Sequence, residues 1–178
     1  MKILFIVQGE GRGHMTQALA LEHMLEKENH QVSDIILGTC QHRDIPAFFR
    51  SKSKARLHTI ESPNFYFDRK NKSINVFKTI FKNLIKTPDF IQQLFKIHKI
   101  HSSGEHDIII NFYDMLGGIY FASFRPKAQT IAIAHQYLAM LKNFPFAKGY
   151  FWQKKAYQWT NQISSANTDK ILALSFQP

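Results

Sequence analysis

The sequence predicts an α/β domain of Rossmann-like build, a three-layer sandwich with a mostly parallel sheet. Two observations predict the class. Short apolar-rich segments at residues 3–7, 32–37, 57–60, 107–111, 130–134 and 170–174 read as strands, and those at 3–7 and 107–111 as buried ones. Segments with helical spacing separate them, and strict strand–helix alternation puts helices on both faces of a parallel sheet. A third observation places the ligand end. The first strand runs straight into Gly9-x-Gly11-x-Gly13-His14 and then into an Ala/Leu-rich helix.

The elements follow in order. Residues 16–28 form a helix with Ala18, Leu21 and Leu25 on its apolar face. After the second strand, residues 38–42 are a loop and residues 45–49 a short helix. The third strand ends at the breaker Ser62-Pro63-Asn64. A long helical region spans residues 73–100, with Ile74, Phe77, Phe81, Leu84, Ile91 and Phe95 at helical spacing and Pro88 as an interior break or kink. Gly117-Gly118 opens a small-residue helix over residues 119–124. Residues 144–163 form an aromatic, basic helix that precedes the last strand.

Bulk properties narrow the class. The chain has 178 residues, enough for one domain or one full lobe of a two-lobed protein. The hydrophobic fraction of 44% supplies a core, and the formal charge of +10 favours anionic partners: nucleic acid, acidic lipid or a phosphorylated substrate. The single cysteine, Cys40, excludes an internal disulfide framework and fits a reducing cytoplasm. No His/Asn signature marks it as a nucleophile. The apolar start is too short for a secretory leader, and no stretch is long and apolar enough to span a bilayer.

Three constellations carry chemistry. Gly9, Gly11 and Gly13 allow a tight turn and a close approach of backbone N–H groups to a ligand. The helix start beyond them adds a positive dipole end, an arrangement that handles anions. His14 stands where a reacting group is touched. The bland reading is a tight turn without a ligand. A dinucleotide fingerprint would need glycine where His14 stands and an acidic residue ending the second strand, which instead ends Leu37-Gly38-Thr39. A P-loop is excluded because no Gly-Lys-Ser/Thr occurs. Gly117-Gly118 lies just past a strand end, either lining the crevice or closing helix–strand packing. His135 follows the strand at 130–134 on the same edge as His14, as a second site histidine or a polar cap. No third ligand accompanies the two histidines at metal-site spacing, so no metal is expected.

Two stretches mix apolar and basic residues: Lys72, Lys78, Lys82, Lys86, Lys96 and Lys99 among the apolar positions of residues 73–100, and Phe144, Phe146, Tyr150, Phe151, Trp152, Tyr157 and Trp159 with Lys148, Lys154 and Lys155. Each reads either as a core helix with a solvated face or as a helix on an anionic membrane surface.

Phe5-Ile6-Val7-Gln8-Gly9-Glu10-Gly11-Arg12-Gly13-His14, followed by Ala18-Leu19-Ala20, resembles the opening of GT-B glycosyltransferases. The nearest group is that of the lipid-intermediate N-acetylglucosaminyltransferase of peptidoglycan synthesis and the diacylglycerol glycosyltransferases. Asp107-Ile108-Ile109-Ile110, Gly117-Gly118 and Ile131-Ala132-Ile133-Ala134-His135-Gln136 match, in order, that family's second glycine loop and its following strand and loop.

The resemblance implies that residues 1–178 are an N-terminal acceptor-binding lobe. Its loop of Gly9, Gly11, Gly13 and His14 then faces an interlobe cleft, with Gly117, Gly118 and His135 contributing. It also implies a C-terminal donor lobe outside this chain, in cis or in trans, so that the chain alone is inactive. The expected activity is hexosyl transfer to a lipid-linked or other acceptor hydroxyl, with no cofactor and a nucleotide-sugar, expected to be a UDP-sugar, as co-substrate. His14 is the candidate base or phosphate contact. The family often has an acidic residue after the histidine of the later loop, where this chain has Gln136. The expected location is cytoplasmic, peripheral on the membrane. Two alternatives stand beside this: a non-catalytic partner that anchors a split transferase at the membrane, and a basic nucleic-acid-binding module. The second lacks any RNP, zinc-finger or helix-turn-helix pattern, so no nucleic acid is expected.

Overall fold

The computed structural model describes residues 1–39, 44–63, 67–68, 73–74, 86–146, 149 and 151–175. In chain order the elements are β1 (Lys2–Gln8), α1 (Arg12–Lys27), β2 (Gln31–Thr39), α2 (Ala47–Lys52), β3 (Arg56–Glu61), β4 (Phe67–Asp68) and β5 (Ser73–Ile74). They continue with α3 (Thr87–Gly104), β6 (Ile108–Phe112), α4 (Met115–Phe124), β7 (Gln129–Ala134), a 3-10 turn (His135–Met140), α5 (Phe151–Ser164) and β8 (Lys170–Ala173).

Six strands form one sheet in the order β3-β2-β1-β6-β7-β8, and every pairing within it is parallel. β1 is central and apolar because both its faces are covered. Ile3, Phe5 and Val7 join the core under α1 and α2 with Met15, Ala18 and Phe49. Leu4 and Ile6 point the other way, to Ile97 of α3 and to Leu116, Tyr120 and Phe121 of α4. This period-two division of one strand between two cores makes the three layers of the Rossmann-like sandwich.

The long helical region expected over residues 73–100 is corrected at its start. Ser73–Ile74 pairs antiparallel with Phe67–Asp68. Residues 75–85, with Phe77, Lys78, Phe81, Lys82 and Leu84, lie outside the described residues, as do Lys72 and Cys40. α3 begins at Thr87 and carries Pro88 in its first turn rather than as an interior kink. The first turn suits proline, whose missing N–H would have no intrahelical acceptor there. The helix expected over 144–163 starts later, at Phe151, after Gly149 at φ 87°. A residue in that left-handed region interrupts a right-handed helix. α4 starts before its glycine pair, at Met115, because the Asp114 side chain caps it by accepting from the N–H groups of Leu116 and Gly117. Among the described residues no helix is long and apolar enough to cross a membrane.

Candidate functional site

The strand order reverses direction between β1 and β6, and the loops leaving their carboxyl ends part there. Open α/β sheets bind ligands at this switch point. The loop after β1 brings Gly9 to His14, the loop after β6 brings Tyr113 and Asp114, and the turn after β7 brings His135 and Gln136.

The three glycines of the first loop do different work. Gly9 donates its N–H to the Gly38 carbonyl at 2.7 Å, and a Cβ on it would lie 2.9 Å from that oxygen. Its smallness locks the loop to β2. Gly11 sits at φ 125° as the N-cap of α1, a conformation other residues rarely adopt. It offers no side-chain cap, and the first turn of α1 carries no acidic residue. A Cβ on Gly11 or Gly13 would meet nothing within 4 Å. The N-terminal end of α1 is therefore open, with its positive dipole end uncompensated by a carboxylate within that turn.

His14 is buried, in the first turn of α1. Its ring lies nearly parallel to those of Tyr113, at 5.4 Å and 16°, and His135, at 6.1 Å and 13°. Its Nε2 is 3.0 Å from the Gln136 side-chain amide nitrogen. Burial, followed by the nearby His135, lowers its pKa to about 4, while Gln17 pulls the other way. At neutral pH His14 is an uncharged imidazole. With the proton on Nδ1, its Nε2 accepts from the Gln136 amide. Rotating that amide instead presents an oxygen that accepts from Nε2–H, and His14 Nδ1 is buried without a hydrogen-bond partner.

Tyr113 fixes one side of the stack. Its backbone is left-handed at φ 62°, and its hydroxyl donates to Asn161 Oδ1 at 2.6 Å. Burial pushes its pKa far up, so it stays a phenol. Asn161 also donates to the Gln136 carbonyl at 2.9 Å, so one α5 side chain holds both neighbours of His14.

Asp114 is the buried carboxyl of this edge. Its Oδ1 accepts from Ser62 Oγ and from the N–H groups of Leu116 and Gly117. Its Oδ2 has no hydrogen-bond partner and points at the α-carbon of Gly38, where a Cβ would come within 1.9 Å. Burial outweighs the three hydrogen bonds and raises its pKa to about 6.

The structure gives Gly117 and Gly118 a packing role. A Cβ on Gly117 would lie 2.6 Å from Asn111 Oδ1, and one on Gly118 would lie 1.8 Å from the Ile163 carbonyl oxygen. Both are buried, and the Gly117 N–H is taken by Asp114. Sequence reasoning brought His14, His135 and the first loop to one edge, and the structure does the same. It missed Tyr113 and Asp114. The signal for Asp114 was an Asp between an apolar strand and a small-residue helix, the N-cap pattern. Among the described residues no group of three or more His, Cys, Asp or Glu side chains could hold a metal ion.

Residues 1–148, most of the chain, match the family described as glycosyl transferase family 1. The chain belongs to that family. No curated protein matches it. Among solved structures it is similar to MurG of Acinetobacter baumannii, at 12% identity and a TM-score of 0.55, over 96% of this chain and 40% of that one. It is also similar to a sucrose-phosphate synthase of Thermosynechococcus elongatus, at 14% and 0.51, over 96% and 41% of the two chains. A UGT transferase of Siraitia grosvenorii, solved in complex with UDP, matches at 10% and 0.50, over 96% and 44%. At such identities the likeness is one of fold. The chain spans less than half the length of each of these proteins, and its fold is that of one lobe of a GT-B architecture.

Proposed function

We propose that this family 1 chain is the acceptor-binding, N-terminal lobe of an inverting glycosyltransferase. The transferase moves a hexose from a nucleotide-sugar, a UDP-sugar in this reading, to an acceptor hydroxyl that can be lipid-linked. The observation that carries the proposal is His14: an uncharged, oriented imidazole at the switch point, one turn from an open helix start. In a direct displacement, His14 accepts the acceptor hydroxyl proton as that oxygen attacks the anomeric carbon. The sugar–phosphate bond breaks with inversion, and the electron pair leaves on the diphosphate. The N–H groups at the start of α1, near Gly11 and Gly13, complement phosphate charge, the kind of preorganised stabilisation that lowers such barriers. A nucleotide-sugar site in a second lobe is part of the reading, so the isolated chain binds UDP-sugars weakly or not at all. Micromolar binding by calorimetry would contradict that division of labour.

The decisive experiment is His14→Ala in the complete transferase. Turnover falls by about 10²-fold or more with the fold intact. His14→Asn separates the two roles, because it keeps a donor but takes no proton near neutral pH. It restores part of a phosphate contact and little of a base. A folded His14→Ala enzyme with near-normal turnover removes the assignment.

A further inference from the structure

Helix α5 is turned inside out. At about 100° per residue, Phe151, Trp152, Lys155 and Trp159 share one arc, and Thr160, Asn161 and Ser164 share the opposite one. The aromatic arc faces out: Phe151, Trp152 and Trp159 are 60%, 71% and 59% exposed. The polar arc is the buried one, and Asn161 is fully buried in it. Its Oδ1 accepts from the Tyr113 hydroxyl at 2.6 Å, and its Nδ2 donates to the Gln136 carbonyl at 2.9 Å. Its main-chain carbonyl accepts from the Ser164 and Ser165 hydroxyls at 3.2 and 2.8 Å, which pins the turn that carries it. Ser164 in turn accepts from the Tyr137 hydroxyl, and its carbonyl accepts from Asn111. Rotating α5 to bury its aromatic rings would strip the hydrogen bonds from these groups. The two side-chain partners of Asn161 are the two supports of His14. Tyr113 stacks on the imidazole at 5.4 Å between ring centres, and the Gln136 amide nitrogen lies 3.0 Å from Nε2.

We propose that Asn161 is a positioning residue for the transfer reaction: one buried amide ties Tyr113 to Gln136 and so holds the His14 imidazole on its face and at Nε2. The proposal rests on the reading of His14 as the base or phosphate contact. The position calls for an amide. Tyr113 needs an acceptor and the Gln136 carbonyl needs a donor, and asparagine carries one of each on a single rigid group. A carboxylate offers only acceptors, and an apolar side chain offers neither. If filling space were the only task, an apolar residue would do it without the cost of burying an amide. Tyr113 also needs restraint, because its backbone is held at φ 62°, where a non-glycine residue stays only if its surroundings impose it. A displacement of about 1 Å at a reacting group can cost about 10²-fold in rate, so a side chain remote from the substrate governs turnover through the group it holds.

The test is Asn161→Ala in the complete transferase, which removes both ties. Turnover falls by about 10- to 100-fold, while KM for the acceptor stays within about twofold, the split expected when positioning is lost and binding is kept. NMR of the same protein, labelled at histidine, reads the ring itself. The Tyr113 ring current displaces the His14 ring-proton resonances, which are assigned by their loss in His14→Ala. In Asn161→Ala they move toward the positions of an unstacked ring. Tyr113→Phe keeps the stacked ring and loses its tie. It lowers turnover by roughly 3- to 10-fold and adds nothing to Asn161→Ala, because both cut the same connection. Where Asn161→Ala does not fold, Tyr113→Phe carries the test by the same two readouts. Thr160→Val is the control on the same buried arc. The Thr160 hydroxyl donates within the helix, to the Ala156 carbonyl at 2.9 Å, so this variant leaves turnover and the His14 resonances in place. A folded Asn161→Ala enzyme with ordinary turnover, or with the His14 resonances unmoved, overturns the proposal. An equal loss of turnover in Thr160→Val overturns it as well. Failure of the His14 reading shows instead as ordinary turnover in His14→Ala, so the two failures are told apart.

Discussion

Two buried aspartates at opposite edges of the central sheet are in opposite states. At the amino edge, Asp34 of β2 accepts from Arg56 at 2.7 Å, from His106 at 3.0 Å and from His58 at 2.8 Å. Its burial disfavours the charge, but those donors and Ser33 outweigh it and hold the carboxyl well below its ordinary value. His106 is engaged as well, by Ser33, Asp34 and the His101 carbonyl. At the carboxyl edge, Asp114 keeps an oxygen without a partner and is pushed up to about 6, and His14 is pushed down to about 4. A saturated cluster supports the fold. Perturbed groups such as His14 mark candidate functional sites, whereas Asp114, fully buried with its Oδ2 against Gly38, belongs to the packing.

The largest expected effect lies at the amino edge. Asp34→Ala leaves buried His106 facing no carboxylate, and urea unfolding shows a loss of about 3 kcal/mol, at the low end for breaking a buried pair because Arg56 is mostly exposed. A loss no larger than that of an exposed substitution would break the comparison. The two carboxylates also give opposite pH dependences. Asp34 contributes stability that is present above the unfolded aspartate value, about 3.9, and is lost as pH falls toward its depressed folded value. Asp114 binds its proton more tightly when folded, so stability falls as pH rises from about 4 to about 6, by on the order of 3 kcal/mol. Asp114→Asn keeps an acceptor for the helix cap and abolishes that fall, as unfolding curves at pH 4.5 and 7 (roughly the two ends of the window) would show. His14 is expected to stay neutral down to about pH 4, and its ring proton resonances follow the transition directly. A midpoint at the ordinary histidine value would place the ring in water and sink the site geometry. The smallest effect is a pair of glycines. Gly118→Ala overpacks against the Ile163 carbonyl and costs about 1–3 kcal/mol. Gly13→Ala meets open space in a helix and gains up to about 1 kcal/mol. Equal melting shifts for the two would show that both glycines face the same environment.

The sheet and its glycine-loop edge were legible in the sequence because both signals are local. An apolar run buried on both faces and a glycine loop between strand and helix can each be read within a dozen residues, and they placed β1, α1 and His14 together. Ser73–Ile74 was misread because isoleucine fits helix and strand periods alike over a short span. Pro88 was misread because a proline that starts a helix and one that kinks it differ only in what precedes them. Gly117-Gly118 looks the same whether it faces a ligand or a helix, and the Ile163 carbonyl that decides lies 45 residues away. The Asp34 cluster joins residues up to 72 positions apart, and no local pattern announces it. The exposure of the α5 aromatics reverses the usual rule because buried polar partners set the helix rotation.

The central position of β1 also has a consequence for how the chain reaches this fold. β1 gains one neighbour soon, since Ile3 pairs with Val32. Its other neighbour is distant, since Ile3 pairs with Ile108, and the Lys2 amide with the Asp107 carboxylate, a sequence separation of 105 residues. Closing so long a loop is slow compared with local pairing. Until β6 arrives, a β1–β2 ribbon presents the bare hydrogen-bonding edge of Leu-Phe-Ile-Val, the kind of edge other chains can add to. The strand that anchors the finished sheet is thus also where the growing chain is most open to misassembly, and refolding yield should fall with protein concentration well before the native state loses any stability.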